Sequence, residues 1–353
     1  MSAPVIDVAI IGGGISGLAV ANGVQNAGFT VQLFEARSRL GGRIHSVPVA
    51  GGIAEMGATW FWDNEPRVQA LIEAFDIATH DQWEAGDALV AANGQVVRYS
   101  RPWSTNSRRF TGGASQLVDG LAKNLPKGVV HINSPAKRVE RTDELLEIHL
   151  IETSVRARQV VIALPPSLAV ANRIIDEADL EPRLREAAGQ VAVWMGTSVK
   201  ALAIYDKPFW RADGLSGSAS SQVDPLHEIH DISGPEGSPG ILFGFGQTMP
   251  ETVNFDEEPV IEQLCKLFGP AANDPVEVLV KDWRQDPYTT PAIWPPNDRY
   301  DLFGSPVLQR PAWDGKLFWS STETASFAPG HIEGALEAAE RTTAAIVNYL
   351  TPT

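Results

Sequence analysis

The chain has 353 residues, 44% hydrophobic and 20% charged, which is long enough for a large buried core and two domains. Its formal charge of −15 offers no basic stripe to neutralise phosphates, which argues against a nucleic-acid partner. The single cysteine, Cys265, excludes an internal disulfide, and no run approaches the roughly 18 apolar residues that a membrane span needs.

The start "MSAPVIDVAII" lacks the basic region of a secretory leader, so a soluble, cytoplasmic protein is expected. Cys265, within the helical "VIEQLCKLFG", is expected to be a buried, inert thiol. Ten tryptophans point to aromatic-lined cavities.

"VIDVAIIG" has the apolar, β-branched character of a buried parallel strand. Gly12, Gly14 and Gly17 then form G-x-G-x-x-G, and a helix runs from about Ser16 to Ala27. The glycines permit a tight turn, and Ile15 and Ser16 at the helix start can meet a pyrophosphate. "FTVQLFE" reads as a second strand ending in Glu35, whose carboxylate suits both hydroxyls of an adenosine ribose and repels a 2′-phosphate. A glycine pattern alone is often just a loop before a helix. Here strand, turn, helix, strand and acid occur together, which reads as a dinucleotide clamp.

"EARSRLGGR" continues with Ala36, Arg37, Gly42 and Arg43, a second glycine turn carrying cations. At this point the chain resembles the flavin-containing amine oxidases of the monoamine oxidase family, where an E-A-x-x-R-x-G-G-R element helps hold FAD. The resemblance extends along nearly the whole chain. "IAEMGATWF" is similar to the segment beside the flavin, which places Gly57, Ala58, Thr59 and Trp60 there. "FTGGASQLVDGLAKNL" resembles a glycine-opened helix, and "INSPAKRVER" resembles the strand whose backbone near Ala136 pairs with adenine. "ARQVVIALPPSL" reads as a buried strand stopped by Pro165 and Pro166.

The resemblance implies an α/β fold, a Rossmann-like FAD-binding domain with a discontinuous, mostly antiparallel-sheet substrate domain. The first would comprise 1–78, 111–190 and 286–353, the second 79–110 and 191–285. "DPLHEIHDISGPEGSPG" is expected to be a surface loop. Family members typically carry a helical insertion before the "TGG" element, whereas here "RYSRPWSTNSRR" (Arg98–Arg109) stands in its place and reads as a loop. Three arrangements remain open: an open site, one capped by a partner or a second copy in a homodimer, or one suited to bulkier substrates.

The implied chemistry is FAD-dependent oxidation of an amine: hydride transfer from the α-carbon to flavin N5, imine hydrolysis, and reoxidation by dioxygen to give hydrogen peroxide. Lys200 in "TSVKALAIY" matches the family lysine that bonds N5 through a water; the alternative is an edge or surface lysine. "STETAS" places Thr322 and Glu323 along the cofactor, or is merely a helix cap, and Ser321 replaces a usual glycine. The helix after Gly330 is expected to aim its N–H groups, near His331 and Ile332, at the flavin.

"WRQDPYTTPAIWPP" begins with Trp283, expected at the cofactor, and contains no cysteine, so the FAD is expected to be held non-covalently. Of the two aromatic rings that many members use to guide the amine, one is degraded here, with Tyr288 or Trp294 as substitutes. The other is replaced by His331 in "GHIEGA". His331 is either functional or an exposed histidine at a helix start. No metal is implied. Two further readings stay open: a flavin dehydrogenase or desaturase of C–C or cyclic C–N bonds, and a flavin-binding subunit completed by a partner.

Overall fold

In the computed structural model, residues 5–100, 105–142, 144–246, 255–292 and 299–351 are described. The opening apolar run forms β1 (Val5–Ile11), followed by α1 (Ile15–Asn26) and β2 (Val31–Phe34). Val8, Ala9 and Ile10 are wholly buried, as a parallel strand covered on both faces requires. β1 pairs in parallel with β2 and with Ser154–Ile162, and the latter pairs in parallel with Leu317–Trp319. Leu146–His149 and Arg138–Arg141 extend this sheet in antiparallel fashion, and Val130–His131 pairs with β2.

The tight turn has a steric cause. A Cβ on Gly17 would lie 2.0 Å from the Gly12 carbonyl oxygen, so only glycine lets α1 start this close to β1. α1 also packs along the Ile332–Leu350 helix, with Gly23 giving Thr343 room. First and last helices of the chain therefore lie side by side.

The second large sheet is mostly antiparallel. Its order is Glu277–Asp282, Val199–Tyr205, Gly240–Gly246, Leu226–Asp231, Leu215–Ser221, Asp87–Ala92, Gln95–Tyr99. Among the described residues, only Leu215–Ser221 and Asp87–Ala92 run parallel within it. The α/β fold with a second, antiparallel sheet agrees with the expectation.

Three local readings are corrected. The segment taken as a surface loop begins with a strand, Leu226–Asp231, in the middle of the second sheet. Leu226, Ile229 and Asp231 are buried, while the polar residues between them hide the strand in the sequence. Arg98 and Tyr99 end one strand, and Ser107–Phe110 form another, with Ser107 and Arg109 buried. Cys265 on the Glu257–Phe268 helix is half-buried because it sits at the margin of the apolar stripe. Among the described residues, no helix is long and apolar enough to cross a membrane.

Candidate active site

A cavity of about 490 Å³ runs from the glycine turn at the end of β1 to the second sheet. A smaller one of about 250 Å³ adjoins it, and the two share Gly12, Glu35, Arg37, Leu164 and Tyr288. Ala36 and Ala136 line the smaller cavity, where an adenine was expected.

At the shared end, Glu35 is 3% exposed and accepts N–H bonds from Gly13 at 2.7 Å and Arg37 at 2.9 Å. These bonds fix the carboxylate and leave it lone pairs for a ligand. Gly12, Gly14, Ile15 and Ser16 line the larger cavity, whereas Gly17 serves strand–helix packing. A Cβ on Gly14 would meet nothing nearer than the Gly41 carbonyl oxygen at 3.9 Å, so backbone is open to the cavity there. No side chain caps α1, which leaves its first N–H groups for an anion. Gly42, Arg43 and Arg37 lie alongside. Arg37 donates to Asp286, which also holds Lys281 at 2.9 Å. Burial, assisted by Arg39, Lys281 and Arg37, lowers His45 to about 4, keeping it neutral within this cationic cluster. The residues present thus fit a dinucleotide pyrophosphate.

Gly57, Ala58, Thr59 and Trp60 line the middle of the cavity. Lys200, 2% exposed on a strand paired on both sides, is no edge or surface lysine. Its Nζ donates to the Gly57 carbonyl at 2.7 Å and to Thr59 Oγ1 at 2.6 Å, and it lies 4.0 Å from the Phe243 ring centroid. Burial brings Lys200 down to about 7, with Arg109 adding to the effect and the Glu55 charge opposing it. Burial likewise pushes the Glu55 carboxyl up, although the Ala114 N–H, the Lys200 charge and Ser46 oppose that.

The Ile332–Leu350 helix brings its N-terminus to the same cavity through Gly330, His331 and Ile332, with no side-chain cap. Two open helix N-termini thus face one space. Thr322 holds the turn by accepting the Gly330 N–H at 2.7 Å and donating to the His331 carbonyl at 3.0 Å. Glu323 is wholly buried and does not line the cavity. It receives Arg43 at 2.7 and 3.1 Å and the Trp194 N–H at 3.1 Å. Burial alone would raise its carboxyl, but Arg43 holds it below the usual range.

Trp283 is buried beside the cavity and donates to the Met56 carbonyl at 3.0 Å. Tyr288 lies over Arg37 at 5.3 Å, at the junction of the two cavities, and makes no ring contact with His331. That position suits the nucleotide end rather than a substrate cage. Trp294 lies outside the described residues. His331 packs against Trp62, centroids 4.9 Å apart, and lines the cavity.

Several lining residues escaped the sequence reading. Trp194 and Met195 belong to no motif, although the positive φ of Met195 marks a special turn. Phe245 is the register partner of Lys200 on the adjacent strand, and His227 and Glu228 come from the next strand of the same sheet, which the sequence presents as a loop. His227 Nδ1 is buried without a partner, and burial lowers its pKa despite Glu228. The His230 hydrogen bond at 2.7 Å keeps the Glu228 carboxyl low. Among the described residues, the carboxylates that line the larger cavity are Glu35, by the glycine turn, and Glu228, on a strand of the second sheet. Leu226 and Ile229 stand three apart, and the register shifts between Leu226 and Glu228, so the strand shows no period-2 alternation in the sequence.

The family model for flavin containing amine oxidoreductases matches residues 15–102 and 104–347. The chain belongs to that family. Its break at 103 falls where the helical insertion was expected to be missing. Putrescine oxidase of Kocuria rosea is 24% identical, covering 94% of this chain and 92% of that protein. Flavin-containing amine oxidase B of Rattus norvegicus is 22% identical, covering 98% and 86%. Its alignment spans 462 positions, so over a hundred have no counterpart here. Among solved structures, cyclohexylamine oxidase from Brevibacterium oxydans superposes with a TM-score of 0.84 at 20% identity, covering 98% and 100%. Putrescine oxidase bound to putrescine gives 0.82 at 21%, covering 98% and 99%.

Proposed function

We propose that this protein is an FAD-dependent oxidase of small amines, with the cofactor held non-covalently. The carrying observation is one continuous cavity, from Glu35 and the uncapped start of α1 to Lys200, His331 and Glu228. When bound, the flavin would supply hydride acceptance from the amine α-carbon and electron delivery to dioxygen, yielding hydrogen peroxide. The imine so released from the substrate hydrolyses to a carbonyl.

The chain's own residues have separate tasks. Glu35, the start of α1, Arg37 and Ala136 would hold the adenosine and pyrophosphate. The N-terminus at Gly330–Ile332 would place N–H dipoles at the far end, stabilising negative charge on the reduced ring. In its ammonium form Lys200 uses two donors on Gly57 and Thr59, which leaves the third N–H to order a water or ligand in the cavity it lines. Phe245, Trp60 and Trp62 would exclude bulk water around the amine.

Glu228 supports substrates with a second cationic group, since its low-lying carboxyl can pair with an ammonium. The absence of cysteine in Trp283–Pro296 supports non-covalent FAD. Two separate seven-stranded sheets support the division into 1–78, 111–190 and 286–353 against 79–110 and 191–285. A cytoplasmic location and a homodimer that roofs the site belong to the same proposal. Peroxide release by the purified protein on a panel of monoamines, diamines and polyamines tests it. Silence across the panel would favour a dehydrogenase or a partner-dependent subunit.

A further inference from the structure

Glu65 occupies the position before the Pro66–Ala74 helix at 2% exposure, and no step described above uses it. Its two oxygens have different partners. Oε2 accepts the Trp62 backbone N–H at 3.2 Å, and Oε1 lies 2.6 Å from Nδ1 of His331. A carboxylate only accepts, so Nδ1 is the nitrogen that carries the hydrogen, and an imidazole with one hydrogen then has its lone pair on Nε2. Trp62 holds the ring a second time, by face contact. With Nδ1 committed, Nε2 is the nitrogen left for an occupant of the cavity that His331 lines.

The neighbouring charges are spoken for. Glu333, two residues along the same helix, takes Arg67 at 2.9 Å, and Arg67 also holds Glu340. Arg43 is bound by Glu323, Lys200 by Gly57 and Thr59, and Glu228 by His230. Among the described residues, Glu65 is the one charged group bonded to the imidazole.

We propose that Glu65 is a positioning residue that fixes His331 so that Nε2 accepts the proton an amine substrate must lose before oxidation. The inference rests on the amine-oxidase reading. Alkyl amines titrate near 10, as lysine does, and therefore arrive as ammonium ions at neutral pH. An ammonium has no lone pair to support the carbon from which hydride departs. In the step, one N–H bond of the substrate breaks and one forms at Nε2. The electron pair of the broken bond stays on the substrate nitrogen, and nothing is oxidised or reduced. The imidazolium's other N–H faces Glu65, and the ring, 37% exposed, can release its proton to water.

Glu65→Gln is the discriminating variant. The amide has one acceptor oxygen for two donors, and the Trp62 N–H cannot give up its hydrogen whereas imidazole can move its own. The oxygen should go to Trp62 and the NH₂ to Nδ1, driving the hydrogen to Nε2.

The experiment uses the purified, FAD-containing protein with labelled histidines. NMR of ring nitrogens, assigned through His331→Phe, reports the tautomer, and single-turnover flavin reduction is measured against pH with the best substrate of the amine panel. Expected are an Nδ1–H tautomer in wild type and an Nε2–H tautomer in Glu65→Gln. Reduction should slow about a hundredfold in Glu65→Gln and in His331→Phe below the substrate's own pKa. Both variants should converge on wild type above it, where free amine needs no base. The double variant should be no slower than either single one. An Nε2–H tautomer in wild type, or superimposable pH curves with substrate reducing all proteins normally, would overturn the dyad and leave the amine-oxidase reading standing. Failure of every amine to reduce wild type would sink that reading, and the base role with it, even with the tautomer as expected.

Discussion

Lys200 and Thr59 are 141 positions apart in sequence, and their buried Nζ and Oγ1 atoms meet at 2.6 Å. The contact joins the segment read from "IAEMGATWF" to an internal strand of the second sheet, so the lysine is held by backbone and hydroxyl rather than by a carboxylate.

Replacing Lys200 by Met should leave FAD content unchanged and slow reoxidation of the reduced flavin by oxygen about tenfold or more. One placed donor near developing charge is worth about 2–4 kcal/mol. Stopped-flow mixing of reduced protein with aerated buffer measures it, and an unchanged rate would remove Lys200 from the oxidative half-reaction.

Lys200 also makes stability depend on pH. Its folded value of about 7 lies below the ordinary 10.5, so between these the unfolded chain binds the extra proton. The penalty for burying the ammonium is full below about pH 7 and is relieved as pH rises towards 10.5. The gain in melting temperature between those limits should be larger in wild type than in Lys200→Met. Parallel curves would contradict a buried, low-lying lysine.

Much of this was legible beforehand, for local reasons. Gly12, Gly14, Gly17 and Glu35 sit within one strand–turn–helix–strand unit, where spacing alone dictates geometry. Lys200 and His331 could be placed by likeness to a family, but their partners could not. Glu65 lies 266 residues from His331, and Trp194 contacts the cavity from an unremarkable run. The Leu226–Asp231 strand was missed because its His227 and Glu228 face a cavity, which makes an internal strand look like a solvent loop.

Arg43 and Glu323 should act as a unit. Glu323→Ala strips the carboxylate from a partly buried cation and from the Trp194 N–H, and should cost about 3 kcal/mol, the lower end for a buried pair because Arg43 is 26% exposed. FAD affinity should fall with it, because Arg43 lines the cavity. Thermal melts and FAD titration of the apoprotein decide the matter, and wild-type values in both would show the pair to be incidental.

Glu228→Gln should raise KM for an α,ω-diamine by about ten- to a hundredfold, the worth of one charge-assisted hydrogen bond. KM for a monoamine of equal length should hardly change. Equal effects on both would mean that Glu228 shapes the cavity rather than reading a second charge.

Acid precipitation should leave a colourless pellet and release all the flavin as FAD. Colour in the pellet would require a covalent link that no cysteine of Trp283–Pro296 can provide.

The central claim, that one cavity brings amine and flavin together, is tested most directly by anaerobic mixing of the yellow protein with an amine panel. Bleaching of the flavin band by at least one amine is expected, saturating with amine concentration, with full return of colour and stoichiometric peroxide on admitting air. A stably FAD-loaded protein whose colour no amine alters would contradict it.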